Sequence, residues 1–422
     1  MVVDRATQNT LAGLARDSVI MMAWQCIRLI TSYGFLWLLY KQLSPAEIAP
    51  YSNFLTLTAL AVPIFLLKPE ALIGRAFFNK AEVEFDVYAG SVIGVILLGS
   101  AAAGIAILVL AERLETFTGV PWIPLLLLVP YLLGYGFLYV SSTIIQLDGR
   151  PHTFAALRGI EGAIRLGIGA VLVWLGLGWI GPLIALTLAT AMTALLSELA
   201  MRRLTGHKIF LNLRYAKMYL SEGAPTVPMT LAVAVLQAAD RFAVTAFLGL
   251  AAAGVYGVAS IIAGGIWILA NSFQQVWMPW LFSMLSNPSA NAVGKARTAI
   301  IAFSCLMCTI AACAAVSVTV ASDGWIDPRY SEMVDFIWPL TLAYLALSLR
   351  LVFDNVFYFY REVWSLAWIL GFAALVTCLL AWNLTSPYGF AGAAWSFAAG
   401  AFFSLFVSAA LAFRLVGRAL DK

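Results

Sequence analysis

The chain has 422 residues, of which 62% are apolar and 11% are charged, and its mean hydropathy is +0.92. This composition lies far outside the range of soluble globular domains and predicts an integral membrane protein. The net charge of +4 is accounted for by the membrane topology derived below, so no nucleic-acid partner is expected.

Twelve apolar segments of about 20 residues are each long enough to cross a hydrocarbon core of roughly 30 Å. Their centres lie near residues 28, 58, 98, 133, 166, 189, 236, 267, 309, 347, 372 and 401. The sequence therefore predicts an all-α polytopic membrane protein with about twelve transmembrane helices. Because this number is even, both termini are predicted on the same side of the membrane.

Lysine and arginine indicate which side that is, because short loops rich in them stay in the cytoplasm. With the N-terminus inside, most of these residues fall in cytoplasmic segments, and the outer loops hold only Lys41, Arg113 and Arg329. Both termini are therefore predicted to be cytoplasmic. The first apolar stretch ends without a small-residue cleavage site, so we expect the chain to retain it.

A basic, less apolar stretch divides the chain near its midpoint, with six predicted spans on each side. We predict a six-helix lobe over residues 1–205, a cytoplasmic linker over 206–221 and a second six-helix lobe over 222–422, around a central cavity. Residues 43–51 align with 248–256, which favours an internal repeat. Transporters built from repeated halves place their substrate between them.

Four arginines, Arg28, Arg165, Arg241 and Arg350, fall near the centres of four different predicted spans. Each costs about 2.5–3.5 kcal/mol or more at the bilayer centre unless it lines water or meets an anion. The four together predict a polar, cationic cavity.

Arg28 is the arginine for which an anion is the best partner, because no acidic residue lies three or four positions from it. Gln25 and Ser32 share its helical face. A guanidinium fork binds a phosphate or diphosphate through two parallel hydrogen bonds. The alternative is an ion pair across helices with Asp240 or Asp354.

Three acidic residues, Glu161, Asp240 and Asp354, lie beside the other arginines in the sequence. One interpretation is that they form buried ion pairs, Glu161 with Arg165 and Asp354 with Arg350. The other is that they change protonation and couple transport to H⁺ or Na⁺, as intramembrane carboxylates do in carriers.

The eighth predicted span carries a polar patch that includes Asn271 and Gln275. These amides are candidates to bind sugar hydroxyls, although hydrogen bonding between helices is their commoner role. Cys305 and Cys308 form a C-x-x-C without further ligands nearby, so no metal site is predicted. No cofactor is expected.

Several short motifs of the second half resemble the Wzx-type polysaccharide flippases of the multidrug/oligosaccharidyl-lipid/polysaccharide exporter superfamily. The motifs are Gly-Ala-Pro-Thr-Val-Pro at 223–228, Asp-Arg-Phe at 240–242, Leu-Gly at 248–249, Gly-Val-Tyr-Gly-Val-Ala-Ser at 254–260 and Gln-Gln-Val-Trp-Met-Pro at 274–279. A fainter likeness covers 43–51. The Asp240-Arg241 pair matches a family position in the first helix of the second lobe.

The resemblance implies a carrier of undecaprenyl-diphosphate-linked oligosaccharide in a bacterial cytoplasmic membrane. Such a carrier moves its cargo from the inner to the outer leaflet by alternating access, for O-antigen of lipopolysaccharide, capsule or exopolysaccharide. Its expected partners are the lipid-linked oligosaccharide, membrane lipids, a polysaccharide polymerase and glycosyltransferases. It is not expected to be an enzyme.

Other functions stay open at the level of the sequence. A membrane polysaccharide polymerase or ligase is expected to carry a large outer loop, which this chain lacks. A multidrug exporter of the same superfamily is disfavoured because four arginines repel cationic drugs, and lipid II flippases usually have fourteen spans. A scaffold for glycan-assembly enzymes would make the arginines purely structural.

Overall fold

The computed structural model describes most of the chain from residue 30 to residue 420. The described residues are 24, 27, 30–67, 69, 73, 76–77, 84–148, 150–205, 212–286, 290–321, 327–360 and 362–420.

Every regular element in the described residues is a helix. Residues 30–42 form α1. The other α-helices are α2 (Pro45–Leu66), α3 (Phe85–Val109), α4 (Ala111–Thr118), α5 (Trp122–Leu125), α6 (Leu128–Leu147), α7 (Pro151–Trp174), α8 (Ile180–Thr205), α9 (Leu213–Gly223), α10 (Val227–Leu236), α11 (Ala239–Leu248), α12 (Leu250–Ser286), α13 (Ala290–Ala321), α14 (Ile337–Phe359) and α15 (Val363–Leu420). Two 3₁₀ helices, Ala224–Thr226 and Pro328–Asp335, complete the list.

Eight of the described helical stretches are long and apolar enough to cross a membrane, and the bent pair α10–α11 raises this number to nine. The prediction of an all-α, multi-span membrane protein is therefore confirmed. The last stretch, α15, covers two predicted spans and bends at Gly389, where φ is +59°. The number of twelve spans and the cytoplasmic location of the termini stay predictions.

The chain forms two compact units. The first consists of Met1–Gln42, Ala61–Glu115 and Val120–Val227, and the second of Leu43–Leu60, Thr116–Gly119 and Pro228–Lys422. The lobe boundaries predicted from the sequence, with a linker over 206–221, stay a prediction.

In the first unit α8 packs against both α6 and α7. The two helices α6 and α8 approach each other closely at Gly134, where an added Cβ would lie 3.1 Å from the backbone nitrogen of Ala191. Small residues are common at such crossings because helices in lipid associate through close van der Waals packing. This packing holds the polar residues of α7 and α8 beside one another.

In the second unit α14 is the most enclosed helix and packs against α12, α13 and α15. Gly254 of α12 lies directly against Pro45, so that any added Cβ would overlap the Pro45 carbonyl group. These two residues belong to the segments 43–51 and 248–256 that align in the sequence. Leu43 is also held in this unit, because its carbonyl oxygen accepts a hydrogen bond of 2.9 Å from the Tyr330 hydroxyl.

Candidate functional site

The second unit contains a broken helix at the position of the Asp-Arg-Phe motif. Helix α10 ends at Leu236, α11 begins at Ala239, and their axes differ by 43°. Irregular backbone at membrane depth is tolerated where it is buried in protein or lines a polar cavity. Asp240 and Arg241 lie in the first turn after this break.

Asp240 is 1% exposed, and both of its carboxylate oxygens accept hydrogen bonds. Oδ1 accepts from the backbone N–H of Arg241 at 2.9 Å, and Oδ2 accepts from the Tyr256 hydroxyl at 2.6 Å. A buried carboxylate needs such donors to offset its desolvation. The bond to Tyr256 holds the start of α11 against α12.

Arg241 is held by hydroxyl groups and not by a carboxylate. One terminal nitrogen donates to Thr56 Oγ1 at 3.0 Å and the other to the Tyr344 hydroxyl at 3.4 Å. Its buried Nε has no hydrogen-bond partner among the described residues, and no described carboxylate forms an ion pair with it. The guanidinium is thus oriented and keeps donor capacity for an anion, while the neighbouring Asp240 carboxylate interacts with it electrostatically without forming an ion pair.

Further unpartnered polar atoms belong to the elements that supply Arg241 and its partners. Gln237 Nε2, Ser52 Oγ and Ser260 Oγ are buried and lack hydrogen-bond partners among the described residues. Ser52 precedes Thr56 by one helical turn, and Ser260 follows Tyr256 by one turn. Buried polar groups are usually satisfied by protein or by ordered water. This part of the second unit is therefore suited to water or a polar ligand.

Arg350 differs from Arg241 because it has a carboxylate partner. Its Nε lies 3.2 Å from Asp354 Oδ2 one turn along α14, and the two side chains are only 2% and 7% exposed. This matches the ion-pair interpretation of the sequence. An arginine whose charge is already balanced inside the protein contributes little to binding an anion.

The polar patch of α12 mainly bonds within the unit. The Asn271 amide donates to the Trp267 carbonyl oxygen at 2.7 Å, one turn earlier on the same helix. Gln274 Nε2 donates to Asn355 Oδ1 of α14 at 3.3 Å. The side chain of Gln275 lies outside the described residues. Asn271 thus bonds within its own helix, which is neither of the two roles that the sequence suggested, and the bond between helices is made by Gln274.

The first unit contains a second arginine without a carboxylate partner. Arg165 of α7 donates from a terminal nitrogen to Ser32 Oγ of α1 at 2.8 Å, and its guanidinium lies 5.7 Å from the ring centre of Phe35. Its buried Nε has no hydrogen-bond partner among the described residues, and none of their carboxylates pairs with it. Arg165 and Arg241 therefore share one pattern.

Glu161 pairs with Arg158 and not with Arg165, the partner that the sequence suggested. Its Oε2 lies 3.4 Å from a terminal nitrogen of Arg158, and its Oε1 accepts from Thr190 Oγ1 at 3.3 Å. The Arg158 guanidinium also stacks over the Tyr139 ring at 3.9 Å. Arg158 is a buried residue of α7.

Some predicted site residues are outside what the structure describes. Arg28 and Gln25 belong to this group, so their roles stay predictions. Sequence reasoning did not single out Thr56, Tyr344 or Glu198. Nothing in the sequence distinguishes the hydroxyl groups of Thr56 and Tyr344 from the many others in the spans. Glu198 is a carboxylate inside an apolar segment, so the sequence could have identified it as a candidate.

A pocket of about 410 Å³ opens in the second unit. It is lined by Pro45, Leu248, Ala251, Ala252, Val255, Pro328, Arg329, Ser331, Glu332, Gly389 and Phe390. No predicted site residue lines it. Among the residues that the structure describes, no group of three or more His, Cys, Asp or Glu side chains is placed to hold a metal ion.

Comparison with known proteins gives matches of structure only. No family model matches the chain, and no curated protein matches it. An inward-facing multidrug resistance MATE family transporter of the MOP superfamily has a TM-score of 0.72 at 14% identity, over 96% of this chain and 99% of the other. The lipid II flippase MurJ in an inward closed conformation has a TM-score of 0.72 at 15% identity, over 96% and 91%.

A third structure with this fold is a MOP superfamily transporter from Pyrococcus furiosus, described by a reversed polarity of its binding pocket. Its TM-score is 0.62 at 15% identity, over 97% of this chain and 96% of the other. At these identities the comparisons establish the fold and not the cargo. The chain has the fold of MOP superfamily transporters, and the multidrug exporter and the lipid II flippase match it equally well.

Proposed function

We propose that this protein is a flippase of the Wzx type that moves undecaprenyl-diphosphate-linked oligosaccharide from the inner to the outer leaflet. It acts by alternating access in a bacterial cytoplasmic membrane and supplies O-antigen, capsule or exopolysaccharide synthesis. The protein binds and releases its cargo without changing it chemically. A polysaccharide polymerase and glycosyltransferases are its functional neighbours.

The observation that carries this proposal is the contrast between the arginines. Arg158 and Arg350 have carboxylate partners, whereas Arg165 and Arg241 are oriented by hydroxyl groups and have no carboxylate partner among the described residues. An uncompensated charge in a membrane helix is costly and marks a function by default. An anionic cargo balances it when bound.

The geometry of the two arginines suits a diphosphate. Each guanidinium keeps an unpartnered Nε–H, and leaving a buried donor unsatisfied costs about 1–3 kcal/mol. Phosphate oxygens accept from Nε and a terminal nitrogen together, which is the bidentate contact that lysine cannot make. Arg165 and Arg241 are thus each oriented to bind a phosphate group.

The fold neighbours support a carrier but differ in what they carry. The name of MurJ gives lipid II, a lipid-linked cargo, and the MATE transporter is named for multidrug resistance. A multidrug exporter is the second candidate because its fold matches equally well. Arg165, which has no carboxylate partner among the described residues, and the free Nε–H donors of Arg165 and Arg241 favour an anionic cargo over a cationic drug.

Ion coupling is assigned to the buried carboxylates Glu161, Asp240 and Asp354, with H⁺ or Na⁺ as the coupling ion. Glu161 is the strongest of the three candidates. It is half-buried, whereas Asp354 is engaged by Arg350 and Asp240 is fixed by Tyr256 and the start of α11. A change of protonation at Glu161 alters only its contacts with Arg158 and Thr190.

The test is translocation in reconstituted vesicles. A fluorescent polyprenyl-diphosphate-linked disaccharide is placed in both leaflets, and a membrane-impermeant reductant bleaches the outer one. The protein is expected to make nearly all of the dye bleachable, whereas Arg165→Gln and Arg241→Gln slow this strongly. Arg414→Gln, at an exposed arginine, is the matched control and is expected to behave as wild type.

Two results would overturn the proposal. One is translocation of the diphosphate-linked probe at the protein-free rate together with export of a cationic dye, which would make the chain a multidrug exporter. The other is lengthening of the glycan by the purified protein, which would make it a polymerase.

A further inference from the structure

We propose that α8 of the first unit carries a hydrated proton path between Glu198, at the basic end of the helix, and Glu161 of α7. This inference deepens the proposed function because it names the route by which protons reach the coupling carboxylate. It commits to H⁺ as the coupling ion and does not depend on the identity of the cargo.

The path consists of a stripe of hydroxyl groups on one face of α8. Thr190, Thr193 and Ser197 are each at most 1% exposed. Their spacing of three and four residues places them on the same side of the helix. Seven residues separate the first from the last, a rise of about 10 Å at 1.5 Å per residue. Three buried hydroxyls in a row on a membrane helix form a polar line through an otherwise apolar surface.

A carboxylate stands at each end of this stripe. Thr190 Oγ1 donates to Glu161 Oε1 at 3.3 Å. At the other end Glu198 follows Ser197 directly, and its oxygens accept from Ser141 Oγ and from Arg202 Nε, both at 2.8 Å. The hydroxyl line therefore starts and ends at groups that can bind a proton.

Two of the hydroxyl groups have unused hydrogen-bonding capacity. Thr190 also bonds to the carbonyl oxygen of its own helix four residues earlier, but Thr193 Oγ1 and Ser197 Oγ have no partner among the described residues. Buried polar atoms of this kind are typically satisfied by internal water, which makes about three hydrogen bonds. Water between these hydroxyls would make the line continuous from one carboxylate to the other.

Glu198 lies at the boundary between the interior and the surface. It lines a surface pocket of about 380 Å³ whose other lining residues are apolar, while Ser197 beside it is fully buried. Its link to the aqueous side is its ion-pair partner Arg202, whose side chain is 65% exposed. The last turn of α8 carries Arg202 and Arg203, the basic residues that place this end in the cytoplasm. Glu198 is therefore the group through which a proton from the cytoplasmic side would enter.

Few charged or titratable groups face the two carboxylates. Glu161 faces Arg158 from its own helix, whose guanidinium stacks on Tyr139 of α6, and the hydroxyl of Thr190 from α8. Tyr135 of α6 stacks on Tyr139 at 4.0 Å and extends this surface. Glu198 faces Arg202 and the hydroxyl of Ser141.

The transfer conserves charge and protons. A hydronium ion gives its proton to a Glu198 oxygen, so an O–H bond forms there and water is released. Glu198 then gives up a proton to the Ser197 hydroxyl or to a water beside it, so its new O–H bond breaks. Each hydroxyl or water of the line accepts a proton on one side and gives one up on the other, until an O–H bond forms on Glu161. Neutral Glu161 no longer balances Arg158, and this change of charge is what couples proton entry to the conformation of α7.

The experiment follows protonation of Glu161 directly, without any cargo. Purified protein in detergent is given a rapid drop in pH, and the infrared carboxyl band that Glu161→Gln removes is recorded against time. In the double variant Thr193→Val with Ser197→Ala the band is expected to appear about tenfold more slowly or slower still, with the same final amplitude. Glu198→Gln, which keeps the hydroxyl stripe, is expected to slow it similarly.

Thr187→Val is the matched control. Thr187 is a buried hydroxyl of α8, but it bonds to its own helix and lies beyond Thr190 as seen from Glu198. It is expected to leave the rate unchanged. Unchanged rates in both the double variant and Glu198→Gln would overturn the path and leave the flippase proposal standing. A slowed band in a protein that fails to move the diphosphate-linked probe would support the proton path and overturn the flippase proposal.

Discussion

The buried pair of Arg350 and Asp354 offers a direct way to separate structural arginines from functional ones. The pair joins two turns of α14 at 3.2 Å, with side-chain exposures of 2% and 7%. Asp354→Ala leaves a guanidinium enclosed without a counter-charge, and breaking a buried pair in this way costs about 3–5 kcal/mol. Replacing both partners with apolar residues, Arg350→Met with Asp354→Leu, removes the charge altogether and is expected to be close to neutral.

The assay is unfolding of the purified protein in mixed micelles of mild detergent and sodium dodecyl sulfate, with the free energy of unfolding compared between variants. A control is the pair of Arg329 with Asp327, at 2.8 Å but with Arg329 42% exposed and outside the spans. Arg329→Ala, which keeps the capping bond from the backbone N–H of residue 329 to Asp327 Oδ1, is expected to cost no more than about 1 kcal/mol, as exposed ion pairs do.

Two results would refute this reasoning. If Asp354→Ala is as stable as wild type, the pair does not hold α14 in place. If the double apolar variant is stable but no longer moves the diphosphate-linked probe, Arg350 belongs to the binding site. Its location near the centre of a predicted span suggested that role. The account predicts a stable double variant that still transports.

Two further predictions concern packing and a single hydrogen bond in the second unit. Gly254→Ala places a Cβ on the Pro45 carbonyl group and is expected to lower the free energy of unfolding by about 1–3 kcal/mol, whereas Gly371→Ala, where no atom lies within 4 Å, is expected to raise it slightly. Equal effects of the two substitutions in the same unfolding assay would contradict this packing. Tyr256→Phe leaves Asp240 Oδ2 without its 2.6 Å donor and is expected to cost about 1–3 kcal/mol, and no loss of stability would mean that the bond is not made.

The sequence predicted the membrane class and the helical fold because both follow from long apolar segments. Each predicted span centre from 58 to 401 falls on a described helix. The break between α10 and α11 was not predicted, since neither proline nor glycine occurs in the break itself, at 237–238. The bend within α15 at Gly389 was likewise hidden in one continuous apolar stretch.

The sequence identified the site arginines by their position near the centres of predicted spans. It could not show which side chains form hydrogen bonds or ion pairs with them. Arg158 and Arg165 lie three and four residues from Glu161, so helical spacing allows either arginine to pair with it. The direction of the side chains in the structure shows that the partner is Arg158. The hydroxyls that orient Arg241 come from Thr56 and Tyr344, residues distant in sequence. Contacts of this kind depend on tertiary packing, which leaves no periodic trace in a single sequence.

The measurement that tests the central claim most directly is the amount of undecaprenyl-linked glycan on the cytoplasmic face of cells that express variants of Arg241 at normal levels. The account predicts accumulation, with less surface polysaccharide, for both Arg241→Gln and Arg241→Lys, since lysine keeps the charge but not the bidentate fork. Undisturbed flux in Arg241→Gln would contradict the claim that the Arg241 guanidinium binds the diphosphate.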